Sequence, residues 1–243
     1  MRSPFSDLVR RLGRRAPLSQ ADRDEILALP HQLRSHAAGA HLLREGERPD
    51  HCTLLLSGFA CRYKVTGDGS RQILSFHVPT DFLDLQNALL PAADHSVQLV
   101  TPAEVALVPR QALSALAFER PAVGRALWVE TLVDSSIFRE WVVNVGRRDS
   151  RSRVGHLLCE IGLRLQLAGL SDGRRYSMPM TQEQLADAAG LTAVHVNRVL
   201  KQLVAEGLIR RDKRMIEIPD WERLAAAADF NERYLHQQET AAA

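Results

Sequence analysis

Most of the short signatures of enzyme chemistry are missing from this sequence. Its nine histidines include no His-x-His pair, and no HExxH, GxSxG or P-loop motif occurs. The usual signs of zinc hydrolases, serine hydrolases and nucleotide-phosphate enzymes are therefore lacking. A metal-dependent enzyme of the cupin kind would need clustered histidines with a carboxylate. His31, His36 and His41 fall five apart, which suits neither one strand face nor one helix face. The three cysteines, Cys52, Cys61 and Cys159, form no CxxC and no zinc spacing. Such a set argues against a disulfide scaffold and reads as buried or half-buried thiols; no metal site is expected. No apolar run approaches the roughly 18 residues of a membrane span. The opening MRSPFSDLVRRLGRR carries charge without the apolar core of a secretory signal. The expected compartment is the cytoplasm, with no membrane partner.

What is present is an ordinary globular composition: 243 residues, 45% apolar and 25% charged. Such a chain buries a core, which excludes disorder as its main state, and its length is natural for two domains. The net charge of +2 is unevenly placed: residues 1–146 balance at zero, 147–218 carry +5 and 219–243 carry −3. A basic surplus in one segment is a hint of a polyanionic partner. Plain solvated surfaces show the same surplus, so motifs must decide.

Along the chain the texture changes twice. Ser6–Leu12 and a segment opened by Ser19, with Asp22 three residues on, read as short helices; Pro17 separates them and Pro30 closes the second. Residues 31–109 read as short strands: Cys52–Leu56, Phe59–Val65, Gln72–His77, Val97–Thr101 and Val105–Pro109. Gly67-Asp68-Gly69-Ser70 is a hairpin turn between two of them. This spacing predicts an antiparallel β jelly roll or barrel in an α+β protein. From Ala122 to Val145 there is no proline, which predicts one long helix. Val123, Leu127, Thr131, Asp134, Phe138, Trp141 and Val145 follow a heptad-like spacing and suggest a self-association seam. Val129, Leu132, Val133 and Val142 then suit packing on the chain's own barrel. Arg147–Ser150 breaks the pattern as a hinge, a helix follows over 152–168, and residues 169–173 form a turn.

The stretch from Met180 to Leu203 is the most informative. Thr181 with Gln184 makes a capping box, Gly190 supplies a sharp turn, Leu191 plugs it and Thr192 caps a second helix. Val196, Val199, Leu200 and Leu203 form its buried stripe, while Ala193, Val194, His195, Asn197, Arg198 and Lys201 lie nearer the opposite side. This is helix-turn-helix spacing. Residues 207–218 then read as strand, basic turn and strand, a wing with Asp212 and Lys213 at its tip. An α-helix fits the major groove of DNA, where Arg198 can present its donor fork to guanine O6 and N7. Asn197 suits adenine or a phosphate, and Ala193 and Val194 suit a thymine methyl. Thr181 and Thr192, at helix starts, suit phosphates. Lys201, Arg210, Arg211, Lys213 and Arg214 would add salt-dependent affinity. The competing reading is a helical hairpin inside a larger core with merely solvated charges.

With these residues in view, the sequence resembles the Crp/Fnr family of bacterial transcription regulators over nearly its whole length. The stretch MTQEQLADAAGLTAVHVNRVLKQLVAEGLI is the specific part. The resemblance implies an effector-sensing, cyclic-nucleotide-binding-like barrel with N-terminal helices over 1–118. It implies a dimerisation helix and hinge over 119–148, and a winged helix-turn-helix domain over 149–243. It implies a homodimer on a pseudo-palindromic double-stranded operator, with RNA polymerase and a small-molecule effector as further partners. Arg198 falls where the family's guanine-reading arginine lies. Val194 stands where a glutamate is frequent, Ala193 where arginine or valine is frequent, and His195 at a phosphate-contacting position.

The effector side departs from the family. Cyclic-nucleotide binders hold the phosphate with Gly-Glu and Arg-Ser pairs. Here the corresponding region offers Asp81, Asp84, Gln86, Asn87, His95 and Ser96, with no Gly-Glu and with His95 for arginine. The acidic groups Asp81, Asp84 and Asp94 argue against cAMP or cGMP. Residues 1–30 contain no cysteine, so no iron–sulfur cluster is expected. The cofactor stays unknown. A haem on His77 or His95, a thiol switch using Cys52 and Cys61, and the absence of any effector remain open. The alternatives in function are a sensing module whose helix-turn-helix, with apolar Ala193 and Val194, does not bind DNA, and remotely a cupin-like enzyme.

Overall fold

The computed structural model describes residues 3–237, which form two compact units. One holds the described residues up to Arg62, His77–Ser136 and the described residues from His236 on. The other holds Tyr63–Phe76 and Ile137–Leu235. Among the described residues, no helix is long and apolar enough to cross a membrane.

The first unit begins with α1 (Ser6–Leu12) and α2 (Gln20–Leu27). Leu8, Val9 and Leu12 of α1 are buried, and the Ser19–Asp22 capping box starts α2 as its sequence predicts. Along the chain the strands follow: β1 (Gln32–His36), β2 (His41–Leu43), β3 (His51–Leu55), β4 (Ala60–Val65), β5 (Arg71–His77), β6 (Ser96–Leu99) and β7 (Ala103–Pro109), of which the end of β4 and β5 up to Phe76 are counted with the other unit. One sheet has the order β1-β7-β3 and the other β2-β6-β4-β5. β3 pairs antiparallel with β7, Cys52 opposite Val108 and Leu54 opposite Ala106. The α+β architecture is as expected, and five strands fall within a few residues of the predicted runs. β1 and β2 were not predicted. β1 is almost wholly exposed, so it shows no apolar alternation to read. Between β4 and β5 the Thr66 N–H bonds Ser70 O at 2.9 Å, and Gly69 takes φ +87°. That is the predicted hairpin.

Next come α3 (Arg110–Glu119), α4 (Pro121–Arg147) and α5 (Ser150–Leu167). α4 has 27 residues, about 40 Å at 1.5 Å per residue. Val123, Ala126 and Leu127 join Phe5, Leu8, Leu12 and Leu113 in the first unit's core. Each fully buried aliphatic side chain there contributes about 1.5–3 kcal/mol.

The second unit completes itself with β8 (Arg175–Ser177), α6 (Gln182–Ala189), α7 (Ala193–Ala205), β9 (Arg210–Asp212), β10 (Met215–Glu217) and α8 (Trp221–Ala227). The wing sheet has the order β8-β10-β9. β8 was read only as chain following a turn, since three residues carry no period of their own.

Candidate nucleic-acid interface

The local chemistry of α6 and α7 is what their sequence demands. The Thr181 hydroxyl accepts the Gln184 N–H (3.1 Å), and the Gln184 side chain accepts the Thr181 N–H (2.9 Å). Gly190 ends α6 at φ +63°, a conformation that glycine tolerates best. Thr192 caps α7 by accepting the His195 N–H at 3.2 Å. Val196, Val199, Leu200 and Leu203 are all buried. The opposite side displays Val194, which is 82% exposed, together with exposed Arg198 and Lys201. Residues 194, 198 and 201 are spaced to share one helical face. Thr181, Thr192 and Lys213 are also exposed, whereas Ala193, His195 and Asn197 are half-buried. His195 is not a free surface group, because its Nε2 lies 3.0 Å from Ser150 Oγ and accepts from Arg198 Nη2 at 3.0 Å.

The wing adds positive charge beside α6. Arg210, Arg211, Lys213 and Arg214 are exposed, and Lys213 turns the hairpin at φ +51°. A recess of about 180 Å³ lies between Thr181 and Gln182 on one side and Arg211, Lys213 and Arg214 on the other. The start of a helix and three basic residues thus line one opening, an arrangement suited to an anion.

The predicted hinge is short and heavily bonded. Asp149 caps α5 by accepting the Ser152 N–H at 2.9 Å, and that bond, with others, holds its carboxyl below the usual range. Arg153 donates to Arg148 O (2.8 Å) and to Ala189 O (3.1 Å), joining the hinge to the turn of the helix-turn-helix. Arg148 bonds Glu140 (2.6 Å) and Asp229 (3.1 Å). Bonding from His156 and Arg148 lowers the Glu140 carboxyl to about 2 against the cost of burial.

The proposed self-association seam needs correction. Val123 and Leu127 are core residues of their own unit, and Trp141 is 5% exposed beside Phe76 and Glu160. Phe138 and Val145 are half-buried. The outward row is offset: Trp128 (69% exposed), Leu132 (51%) and Val142 (69%), with half-buried Ser135 and exposed Arg139 at the same spacing. Leu132 and Val142, assigned to packing on the barrel, point outward, while Val133 is buried. α4 is apolar around much of its circumference, so periodicity could not choose which stripe turns inward.

Inside the first unit, most of the candidate effector residues already have partners. Asp81 accepts the Val78 N–H (3.0 Å) and pairs with Arg11 and His77. Asp84 accepts the Thr53 N–H (2.5 Å) and hydroxyl (3.0 Å). His95 Nδ1 lies 2.7 Å from Asp94, Gln86 approaches its Nε2 at 3.4 Å, and the Ser96 hydroxyl accepts the Glu45 N–H at 3.0 Å. Only the Asn87 side chain, fully buried, has no hydrogen-bond partner. Arg62, a buried cation beside them, is not marked by its sequence. It donates to Leu83 O (2.7 Å) and Phe82 O (3.2 Å) and pairs with Asp134 of α4. Its only signal was strand alternation with Ala60, and that does not name a partner. The thiol switch finds no support: all three cysteines are buried, and burial pushes the Cys52 and Cys159 thiols far up, away from reactive thiolate.

Two of these buried groups titrate in opposing senses. Burial, then the Arg62 charge, lowers His77 to about 4. Burial raises Asp84 to about 6 despite its bonds from Thr53. The neutral His77 loses stability as pH falls from about 6.5 to 4, because the unfolded chain takes up the proton first. Asp84 gains stability as pH falls from about 6 to 3.8, because the folded state takes it up first. Each effect is worth about 3 kcal/mol, so they largely cancel. Asp84→Asn is expected to unmask His77, with a urea midpoint that falls steeply between pH 6.5 and 4.5. His77→Gln is expected to show a shallower or reversed slope. Identical pH profiles for both variants would refute the assignment.

Comparison with known proteins fits this arrangement. Residues 33–120 match the model of the cyclic nucleotide-binding domain, and residues 152–227 match the Crp-like helix-turn-helix domain. The transcriptional activatory protein AadR of Rhodopseudomonas palustris is 30% identical over 226 residues, 92% of this chain and 89% of that protein. The transcriptional activator protein FnrL of Cereibacter sphaeroides is 28% identical over 220 residues, 88% of each chain. The structure of FixK2 from Bradyrhizobium japonicum superposes with a TM-score of 0.74 at 26% identity, covering 88% of this chain and all of that one. A sensor-type barrel followed by a winged helix defines a class of transcription regulator. Within that class, the chain belongs to the Crp/Fnr family.

Proposed function

We propose that the protein is a homodimeric, sequence-specific DNA-binding transcription regulator that is not controlled by cAMP. The observation that carries this reading is α7, anchored by four buried residues and displaying Val194, Arg198 and Lys201 beside a basic wing. α7 enters the major groove, Arg198 reads a guanine, and Val194 meets a thymine methyl where many family members carry a glutamate. The recess between α6 and the wing takes a phosphate. Two copies associate along the Trp128–Val142 row of α4 and place two recognition helices about one DNA turn apart. Relatives named as transcriptional activators support a role in activation. The buried carboxylates Asp81 and Asp84 argue against an anionic cyclic phosphate in the barrel.

Selection of bound duplexes from a random pool, at stated salt and without added ligand, tests the proposal. A two-fold symmetric consensus with half-sites one turn apart is expected. No enrichment, either alone or with cell extract, would refute it. On the selected site, Arg198→Ala is expected to cost about 1–3 kcal/mol and relax one base pair. Lys201→Ala is expected to weaken all sequences alike and reduce the salt slope by about one. A change of preferred base in the lysine variant would contradict its role as a phosphate contact.

A further inference from the structure

We propose that His195 is a positioning residue for sequence reading: it holds Arg198 in the orientation that reads its base, and it ties that reader to the hinge. The inference rests on the DNA-binding function proposed above. The geometry centres on one atom. His195 Nε2 accepts an N–H from Arg198 Nη2 at 3.0 Å, and the Ser150 hydroxyl lies 3.0 Å from the same nitrogen. A guanidinium only donates, so Nε2 must present its lone pair, and the ring proton then resides on Nδ1. Ser150 is the first residue of α5, directly after the Arg147–Asp149 junction. His195 itself is half-buried and its backbone is fixed by the Thr192 cap, so the ring has a rigid base.

The consequence is preorganisation. A free arginine side chain samples many rotamers, and holding it before binding removes an ordering cost. Arg198 has five N–H donors; one engaged by His195 leaves others for guanine O6 and N7. A phosphate contact by His195 would instead act on every sequence equally. The two roles predict different outcomes. Ser150 also places the ring at the point where a change in the hinge reaches the recognition helix without any contact to DNA.

The test measures equilibrium binding of the full-length protein to the selected operator and to variants at the base pair assigned to Arg198. His195→Ala is expected to reduce discrimination at that base pair by roughly 3- to 10-fold. The salt slope should stay unchanged. In an Arg198→Ala background the same substitution should change discrimination by less than about two-fold. His195→Gln, which keeps an acceptor near Nε2, should restore most of the loss. Uniform weakening across all sequences with a smaller salt slope would overturn the proposal and make His195 a phosphate contact. An undiminished His195→Ala effect in the Arg198→Ala background would overturn it as well. If Arg198→Ala itself leaves base preference intact, the reader assignment fails, and that failure is distinct from either result. Thermal unfolding of each variant checks that the fold is retained.

Discussion

Leu132→Glu is expected to leave the chain folded yet monomeric and to lower its affinity for a two-half-site operator by roughly 10²–10⁴-fold. Leu132 lies mid-row on α4, 51% exposed, four residues after Trp128 and ten before Val142. Residues 128, 132, 135, 139 and 142 advance by four and three, the spacing that lets two helices meet along a seam. In the proposed dimer a glutamate there places a charge in each copy near the two-fold axis, so repulsion adds to the lost apolar burial. Within one chain the site faces solvent, and such a surface change costs little, within about 0.5 kcal/mol. The DNA effect is large because a linked second half-site binds at high effective concentration, and a monomer forfeits it. Sedimentation and operator binding on the same preparation check both halves of the expectation. A dimer that persists in Leu132→Glu but dissociates in Phe138→Glu or Val145→Glu would move the seam one step around the helix.

What could be read from the sequence was what depends on near neighbours. The Ser19–Asp22 and Thr181–Gln184 capping boxes, the Gly190 turn and the Thr192 cap are closed within a few residues, and all formed as read. The buried stripe of α7 also followed, because the apolar positions Val196, Val199, Leu200 and Leu203 recur at helical spacing on one face. Pairings across long separations did not follow. Arg62 meets Asp134 across 72 positions, and Arg11 meets Asp81 across 70. Nothing local marks either carboxylate as a partner, so Asp81 was read only as a repulsive wall of a ligand pocket. The α4 seam failed for a different reason: an excess of apolar positions gave several valid stripes, and packing against Phe5 and Leu113 decided among them. His195 was recognised as a DNA-side residue, but its tie to Ser150, 45 positions earlier, needed the fold.

Long-range pairing also sets the second large expected effect, at Glu160. This carboxylate is 1% exposed on α5 and was not singled out from the sequence. It accepts Trp141 Nε1 from α4 at 3.0 and 3.2 Å, the Tyr234 hydroxyl at 2.8 Å, and Arg164 Nη1 at 3.3 Å. Burial and this neighbouring carboxylate push the Tyr234 phenol up, so it remains a donor. Glu160→Ala leaves the Trp141 and Tyr234 donors without this acceptor in a buried site, at about 1–3 kcal/mol each. Breaking a buried charged network of this kind costs about 3–5 kcal/mol in all, a large share of the stability of an ordinary domain. A matching fall in the urea midpoint is expected, together with weaker operator binding, because the network joins the end of α4 to α5, which leads into the helix-turn-helix. Glu160→Gln keeps one acceptor oxygen and should lose about half as much. Trp141→Phe added to Glu160→Gln should cost less than the two single losses together, since both remove the same bond. If Glu160→Ala unfolds within about 1 kcal/mol of the parent, water replaces the carboxylate, and the junction of α4 and α5 is then held by Arg148, Glu140 and Arg153 instead.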